Sequence, residues 1–358
     1  MLLFLAILLA IAAALQVWSL NHALDGVSHA HFADPPVAEP GEPFDLVTRM
    51  TNSSRRFIPF VRISEDLPAE LTLDAPGLAL REGATGGLRL DSTVYLLPRQ
   101  RWTRRLPAAL PARGRYLLRG ATLQGGDFLG LGENTHYFSQ TAEVVVLPRR
   151  WEGETPLRTL GGFLGDVSVN RFILEDPVLT LGFRDYTGRE PQKSISWAQS
   201  ARLGRLMVKN YDHTLELSVS VLMNVDGPQG PGYAEKAEGC FSLARSVCEE
   251  LERRHVAYRF LTNARAVGAF SLWSRVGEGM GAGHLASILE GLGRSSYESA
   301  GPFDRIWEQA ARIAEPGRCH VLLSPGLTPE LRAGAAALRA RTGGAVLVLT
   351  PDEELRLS

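Results

Sequence analysis

The chain begins with a nearly continuous apolar run from Leu2 to Leu20, which only three residues of other character interrupt. A helix of about 19 residues, rising about 1.5 Å per residue, reaches about the thickness of the hydrocarbon core of a bilayer. Trp18 stands near one end of the run, where an indole prefers the headgroup region. The pattern predicts a transmembrane anchor over residues 1–21 and a single-pass protein of the cell membrane. A cleaved signal peptide is the alternative, with Ala12 and Ala14 at its cleavage site, but no Lys or Arg precedes the run.

Between residues 32 and 150 the chain alternates apolar and polar positions over short segments. Phe44, Leu46 and Met50 share one face of a predicted strand, and the polar residues 52–54 end it. Similar runs follow at 58–63, 93–97, 116–123 and 144–147, with Pro, Gly and Asp between them. Several short strands separated by turns within about 110 residues predict a β-sandwich domain over residues 32–150.

From residue 213 onward the pattern changes to strands that alternate with helices. The segment 233–255 carries an apolar stripe at helical spacing, formed by Ala237, Phe241, Ala244, Val247, Cys248 and Leu251. Strands are predicted at 215–225, 256–261, 269–273, 321–323 and 346–349, and further helices at 284–292, 302–314 and 329–342. This alternation indicates a doubly wound α/β domain, with a parallel sheet and helices on both faces, over residues 213–358. The predicted fold class is therefore α+β multidomain: an N-terminal transmembrane helix, a β-sandwich, then the doubly wound domain.

The intervening segment, residues 151–212, contains a motif that follows the pattern R-x-Y-x-x-G-[D/R]-x-x-x-x-I-x-W-x-x-S-A-R-x-x-x-L. The matching residues are Arg184, Tyr186, Gly188, Ile195, Trp197, Ser200, Ala201, Arg202 and Leu206. Upstream, Gly114-Arg115-Tyr116 and the run 127–131 are similar to a lead-in of the form R-G-x-Y followed by D-P-F-G-L. These residues resemble the signature of the bacterial domain of unknown function 58 family.

The resemblance implies a C-terminal domain similar to von Willebrand factor A domains. Members of that family are commonly encoded beside MoxR-type AAA+ ATPases, and their shared role is thought to be chaperone-like assembly or maturation, with no established enzymatic activity. The resemblance therefore leads us to expect a membrane-anchored, non-enzymatic scaffold or adaptor that needs no cofactor. Its expected partners are the membrane and a protein, the protein being a MoxR-type AAA+ ATPase.

Trp197 and Arg202 are the most conspicuous residues of the signature. Two roles are open for them from the sequence. We expect them to dock the signature helix on the α/β sheet, with Arg184 or Arg202 paired to a buried acid. A direct contact with a partner is the alternative.

A metal-binding von Willebrand A domain carries D-x-S-x-S at the end of its first strand, where a carboxylate and two hydroxyls bind Mg²⁺. Here the matching residues are Asn224-Val225-Asp226-Gly227-Pro228. Asn224 offers a neutral carbonyl and Pro228 no ligand atom, so we expect a degenerate site at Asn224 and Asp226 and no competent metal site. A metal-dependent adhesion module is the alternative function. An uncharacterised enzyme is a third, which would need a pocket around Arg184, Tyr186 and Glu190.

Three further features have both a plain and a functional interpretation. The glycine-rich run 277–283 precedes a predicted helix, and we expect a flexible surface loop there rather than a phosphate site. His22, His29 and His31 follow the predicted anchor and are expected to mark a solvated linker, with metal binding as the alternative. Seven arginines in a stretch without acids are expected on the solvent face of paired strands, with contact to anionic lipid headgroups as the alternative: Arg99, Arg101, Arg104, Arg105, Arg113, Arg115 and Arg119.

Composition adds two constraints. The formal net charge is −1 and the pI about 6.7, which argues against a general nucleic-acid binder. Three cysteines, Cys240, Cys248 and Cys319, cannot form a disulfide framework, and unpaired thiols fit a reducing compartment. Together with the expected ATPase partner, this predicts that the residues after Leu20 face the cytoplasm.

Overall fold

The computed structural model describes residues 2–83, 86–126, 132–139, 141–173, 180–188, 192, 195–211, 217–227, 230–267, 275–313 and 318–357. The chain divides into two compact units, each described separately here. Unit 1 comprises residues 1–149, 266–271 and 289–296, and unit 2 comprises residues 150–265, 272–288 and 297–358.

Unit 1 begins with a helix, and strands make up most of the rest. The helix is α1 (Leu2–Asn21). The strands are β1 (Val27–Asp34), β2 (Val37–Ala38), β3 (Phe44–Asn52), β4 (Ile58–Leu67), β5 (Thr72–Leu73), β6 (Ala79–Glu82), β7 (Leu88–Leu96), β8 (Arg101–Ala109), β9 (Gly114–Leu118), β10 (Ala121–Gly126), β11 (Glu133–Phe138) and β12 (Ala142–Val146). They form three sheets, with strand orders β1-β3-β8-β5, β11-β10-β4-β7-β6 and β2-β12-β9.

The four-stranded and five-stranded sheets face each other, and their inward side chains form the core. In β1 the burial alternates residue by residue, with Val27 and Ala33 inside and Ser28 and Asp34 outside. One apolar cluster joins Val27 and Met50 of the first sheet to strands of the second. A second cluster lies around Phe44, Leu46 and Leu90. Between these two apolar clusters the inward positions are polar: His29, His31, Thr48 and Glu65.

The apolar run at the N-terminus does fold into a helix, but its last turn contacts the sheets of unit 1. The Asn134 side-chain amide donates to the Leu20 carbonyl at 3.4 Å, and the Arg56 guanidinium lies 5.3 Å from the centre of the Trp18 ring. No helix within the described residues has both the length and the apolar composition to cross a bilayer. The predicted transmembrane anchor over residues 1–21 is therefore wrong. The predicted single-pass localisation in the cell membrane depended on that anchor and is wrong as well. The membrane as a partner stays a prediction.

Unit 2 contains the remaining elements, with β17, α5 and β19 crossing its boundary. They are α2 (Thr155–Ile173), β13 (Thr180–Asp185), α3 (Trp197–Leu203), β14 (Met207–Tyr211), β15 (Ser218–Met223), α4 (Tyr233–Arg253), β16 (Ala257–Thr262), β17 (Ala264–Ala266), β18 (Arg275–Gly279), α5 (Ala282–Arg294), β19 (Ser295–Ser299), α6 (Asp304–Ile313), β20 (Cys319–Leu323), α7 (Pro329–Thr342), β21 (Val346–Leu349) and β22 (Glu354–Leu357). The predicted strand at 269–273 lies outside the described residues.

The main sheet of unit 2 is mixed, with the order β18-β16-β15-β20-β21-β22. The four central strands are parallel and consist almost entirely of buried residues, because both faces of the sheet are covered. The edge strands β18 and β22 run antiparallel to their neighbours. The apolar stripe predicted in α4 is buried throughout, and α6 and α7 pack on the sheet through Phe303, Ile306 and Leu331.

The predicted fold class is wrong in three respects. The chain has no transmembrane helix among its described residues, and strands in several sheets predominate over helices. The expected parallel sheet also carries an antiparallel strand at each edge. At β22 the cause is the short turn after β21, since a short hairpin connection joins antiparallel strands. The turn at Thr350, whose N–H and hydroxyl both bond to Glu353, makes such a connection between β21 and β22.

Candidate functional site

The carboxyl ends of the parallel strands form the first candidate site, because open α/β sheets bind ligands where the strand order reverses. In unit 2 the chain passes from β15 to β16 on one side and later to β20 on the other, so the reversal lies between β15 and β20. Asn224, Asn263 and Ser324 follow the ends of β15, β16 and β20 and are all buried. The sequence-predicted residues Asn224 and Asp226 therefore lie at the expected position in the sheet.

These strand-end residues bond to one another, and we call Asn224, Asp226, Asn263 and Ser324 the amide network. The side-chain oxygen of Asn224, Oδ1, accepts from the backbone N–H of Asp226 at 2.9 Å and from the side-chain amide of Asn263 at 3.1 Å. The Asn224 amide donates to the Asp226 carbonyl and, at 3.3 Å, to the Ser324 hydroxyl. Asn263 also donates to an Asp226 carboxylate oxygen at 2.8 Å and accepts from the N–H of Val225.

The amide network joins the strand ends directly through hydrogen bonds between their side chains. Both lone pairs of the Asn224 oxygen are used, and Asp226 supplies the only carboxylate of the network. A divalent cation of the magnesium type needs several oxygen ligands, of which more than one is usually anionic. Pro228, the remaining residue of the predicted degenerate motif, lies outside the described residues.

The signature residues lie in a small substructure made of β13, α3 and β14. Gly188 has φ +86°, a left-handed conformation that favours glycine. Tyr186 is half-buried and donates its backbone N–H to Leu206 across the β13–β14 connection. Glu190, part of the pocket considered for an enzyme, lies outside the described residues, as does the lead-in run 127–131.

Two signature residues hold this substructure together from inside. The Ser200 hydroxyl donates to the Ser196 carbonyl at 2.8 Å and accepts from the Met207 N–H at 2.9 Å, which ties α3 to β14. Ile195 is buried and makes a bridge to Val208. Gly204 ends α3 in the left-handed conformation that favours glycine at a C-terminal cap.

Other signature residues point outward instead. Trp197 is 67% exposed, and Arg184 and Arg202 are also exposed. Trp197 and Arg202 therefore do not tie α3 to β14, which Ser200 and Ile195 do. Docking of the signature helix on the α/β sheet stays a prediction. Large apolar side chains from the same substructure are exposed as well: Phe183, Leu203 and Leu206.

The glycine-rich run 277–283 is not a phosphate site. Its first residues belong to β18, and the N–H of Gly281, just before α5, donates to both carboxylate oxygens of Glu252 at 3.0 and 2.8 Å. This carboxylate fills the position at the helix N-terminus where an anion would bind.

A cavity of about 450 Å³ does open beside Asn263, but none of its described lining residues belongs to the signature.

A second candidate site lies between the facing sheets of unit 1, and sequence reasoning missed three of its five residues, Thr48, Glu65 and Arg104. His31, Thr48 and Arg104 stand directly opposite one another on β1, β3 and β8, and His29 lies two residues from His31 on the same face. Glu65 of β4 approaches them from the other sheet. We call these five residues the histidine–glutamate cluster. His29 and His31 were predicted to lie in a solvated linker, and that prediction is wrong because both are buried in β1.

The Glu65 carboxylate lies at the centre of the histidine–glutamate cluster. Its Oε1 accepts from the Thr48 hydroxyl at 2.7 Å, and its Oε2 accepts from the Arg104 guanidinium. His29 Nε2 and His31 Nδ1 lie 3.4 and 3.6 Å from Oε1. Burial alone would raise the pKa of Glu65, but the attraction of the two imidazoles, Arg104 and Thr48 outweighs it and holds the pKa far below its usual range.

The arginine-rich stretch around this cluster is not a uniform solvent face. Arg104 points inward to Glu65, Arg105 bonds to Asp34, and Arg115 bonds to Glu143 at 2.6 Å. The acids that pair with these arginines lie on neighbouring strands that are distant in the sequence. These contacts account for three of the arginines without any lipid.

Comparisons with known proteins give no family for this chain. No family model matches it, and no curated protein matches it. Among solved structures, it is similar to a cohesin module of a Clostridium perfringens family 33 glycoside hydrolase, with 13% identity, 34% of this chain, 96% of that chain and a TM-score of 0.25. It is similar to a non-cellulosomal cohesin from Archaeoglobus fulgidus, with 8% identity, 34% and 91% coverage and a TM-score of 0.23. A CARDB domain from Pyrococcus furiosus gives 15% identity, 34% and 90% coverage and a TM-score of 0.21. Likenesses this weak carry no argument, and the resemblance to the domain of unknown function 58 family stays a prediction.

Proposed function

We propose that this chain is a non-enzymatic scaffold or adaptor whose unit 2 binds a protein partner through the signature substructure. The observation that carries the proposal is the exposure of Trp197, which is 67% exposed although it lies in the most distinctive motif of the chain. Tryptophan is among the residues most enriched at the energetic centres of protein interfaces.

The substructure presents this side chain from a fixed backbone. The bonds of Ser200 to both α3 and β14 position the start of the helix, and Ile195 anchors the residues just before it. A rigid support reduces the entropy lost when the indole is buried in a partner. Burying a tryptophan removes about 150–250 Å² from water. The exposed Leu203 and Leu206 add apolar area from the same substructure.

The charges around Trp197 suggest the chemistry of the partner surface. Arg202 and Arg205 are exposed on and just after α3, and Arg205 pairs with Asp185 at 3.0 Å. A partner with an apolar pocket for the indole and an acidic rim would match this surface. The resemblance to the domain of unknown function 58 family identifies a MoxR-type AAA+ ATPase as the first partner to test.

The experiment measures binding of the full chain to a MoxR-type ATPase from the same organism by surface plasmon resonance. We expect Trp197→Ala to weaken binding at least about tenfold, as truncation of an interface hot spot does. Tyr95→Ala is the matched control, because Tyr95 is 60% exposed but lies on β7 of unit 1. Wild-type affinity in Trp197→Ala would contradict the proposed surface, and no binding by the wild-type chain would contradict the proposed partner.

A further inference from the structure

The histidine–glutamate cluster has the donor groups of a transition-metal site. His29, His31 and Glu65 each offer one ligand atom, and these three atoms lie within 4.8 Å of one another. Two imidazoles and one carboxylate are a known protein ligand set for zinc, with a water molecule completing the tetrahedron.

The distances between these atoms fit a shared ion better than direct hydrogen bonds. His29 Nε2 and His31 Nδ1 lie 3.4 and 3.6 Å from Glu65 Oε1, whereas N–H···O bonds cluster at about 2.9–3.0 Å. With metal–ligand bonds of about 2.0–2.1 Å, neighbouring ligands of a tetrahedral ion stand about 3.4 Å apart. The observed separations are thus close to the edge of such a tetrahedron.

Three of the four ring nitrogens of the cluster also lack a hydrogen-bond partner among the described residues. Within the part of the chain that the structure describes, the two ring nitrogens of His31 and the Nδ1 of His29 are buried with no hydrogen-bond partner. Both residues are almost completely buried, at 0% and 6% exposure. A buried ring nitrogen without a partner costs free energy, and a metal ion would use the lone pair of His31 Nδ1.

The remaining residues of the cluster fix the carboxylate. Thr48 donates to Glu65 Oε1 and Arg104 to Oε2, so the carboxylate is oriented by hydrogen bonds of the kind that second-shell residues supply at metal centres. The positive charge of Arg104 opposes a nearby cation. We therefore expect weaker binding than at a structural zinc site made of neutral and anionic groups alone.

We propose that His29 Nε2, His31 Nδ1 and Glu65 Oε1 bind a divalent first-row transition-metal ion of the zinc type between the two sheets of unit 1. This site is independent of the proposed partner surface, because it lies in the other unit and shares no residue with it. The alternative is a purely ionic cluster, in which the imidazoles and Arg104 only balance the Glu65 charge.

The test uses the full chain after EDTA treatment and dialysis, titrated with Zn²⁺ by calorimetry and with Co²⁺ by visible absorption. We expect one bound equivalent, and a Co²⁺ spectrum of four-coordinate type with nitrogen and oxygen ligands. His29→Gln and His31→Gln should each lower the affinity about 100-fold or more, since losing a ligand exceeds the 10–100-fold effect of losing a second-shell partner. His136→Gln, at an exposed histidine of β11, should leave the affinity unchanged.

Three outcomes would overturn the proposal: no stoichiometric binding to the wild-type chain, equal binding by His31→Gln, or binding abolished by His136→Gln, which would indicate an adventitious surface ion only. If the cluster variants do not fold, the wild-type chain alone decides. A thermal midpoint that rises with Zn²⁺ and returns with EDTA, together with the four-coordinate Co²⁺ spectrum, supports the site. A midpoint indifferent to both reagents contradicts it.

Discussion

Two of the buried polar clusters among the described residues are built on different principles. In unit 2 the amide network is mostly neutral, and its donors and acceptors pair with one another and with the backbone at the strand ends. In unit 1 the histidine–glutamate cluster brings a carboxylate, a guanidinium and two imidazoles between apolar sheets. The neutral network is complete in itself, whereas the charged cluster leaves ring nitrogens without protein partners among its described contacts.

This difference determines which cluster can still bind something. An amide whose lone pairs are already accepting hydrogen bonds is a poor ligand, so Asn224 is poorly suited to a cation site. An imidazole with a bare nitrogen keeps its capacity as a ligand, and the ionised Glu65 supplies the negative charge that attracts a cation. Of the two clusters, the strand-end position at Asn224 and Asp226, which the von Willebrand A motif would use for a metal, is therefore the weaker candidate for metal binding.

The largest effect is expected when the charged cluster loses its central acid. Glu65→Ala leaves Arg104 and two imidazoles buried without their carboxylate, and breaking a buried ion pair costs about 3–5 kcal/mol. Urea unfolding of the full chain, monitored by a spectroscopic signal that reports on unit 1, measures the loss in the free energy of unfolding. Glu70→Ala removes an exposed acid nearby and should stay within about 0.5 kcal/mol. A loss below about 1 kcal/mol for Glu65→Ala would show that the cluster is not interdependent.

The second prediction separates the acid sensitivity of the two units. Burial, together with the charges of Arg318 and Arg259, lowers the pKa of His320 from 6.5 to about 4. Below pH 6.5 the unfolded chain therefore binds the proton more readily than the folded one, so stability is lost as the pH falls from about 6.5 to 4. This difference between the unfolded and folded pKa of His320 corresponds to about 3 kcal/mol in the free energy of unfolding of unit 2. His320→Gln should flatten this slope in urea unfolding measured across the window.

The lowered pKa of Glu65 makes unit 1 sensitive to acid in a different pH range, below about 4.5. Because its pKa is lowered, its contribution is present above the usual carboxyl pKa of about 4.5 and is lost only as the pH falls below it. Between pH 6.5 and 4.5 Glu65 should therefore add no slope of its own. An unchanged slope in His320→Gln would contradict the assignment of the loss to unit 2.

The third prediction tests the neutral network. Asn263→Ala removes the donor to Asp226 and Asn224 and the acceptor of the Val225 N–H, leaving buried polar groups without partners. Each such group costs about 1–3 kcal/mol, and partial relaxation should hold the total near 2–3 kcal/mol in urea unfolding. Arg341→Ala, at an exposed position of α7, should change stability by less than about 0.5 kcal/mol. A cost in Asn263→Ala no larger than in that control would show that the network does not hold the strand ends.

Features with local signals could be predicted from the sequence. The helix expected at 329–342 has the same bounds in the structure, because Thr328 caps its start, Pro329 occupies its first position and Gly343 ends it. The stripe of α4 was likewise predicted from spacing alone. Signals of this kind need no knowledge of how distant segments pair.

The histidine–glutamate cluster could not be predicted in the same way. His29 and His31 lie at every second position between Val27 and Ala33, a pattern that indicates one inward face, but their polarity led to the linker interpretation. Their partner Glu65 lies on another sheet, and only the pairing of β1, β3 and β8 brings Thr48 and Arg104 beside them. A polar residue at a core-facing position of a strand was the one available signal.

The smallest effect on stability is expected at Trp197. The signature motif contains both this exposed residue and the buried Ile195, so the two can be compared directly. Trp197→Ala removes an exposed side chain and should change the free energy of unfolding by less than about 0.5 kcal/mol. Ile195→Ala, two residues earlier, removes a side chain that is 7% exposed and should cost about 2–5 kcal/mol. Urea unfolding of both variants checks the contrast. If Trp197→Ala were as costly as Ile195→Ala, the indole would belong to the core, and the surface proposed for the partner would lose its main support. If only binding changes, one motif contains both the residue that holds the substructure together and the residue that contacts the partner.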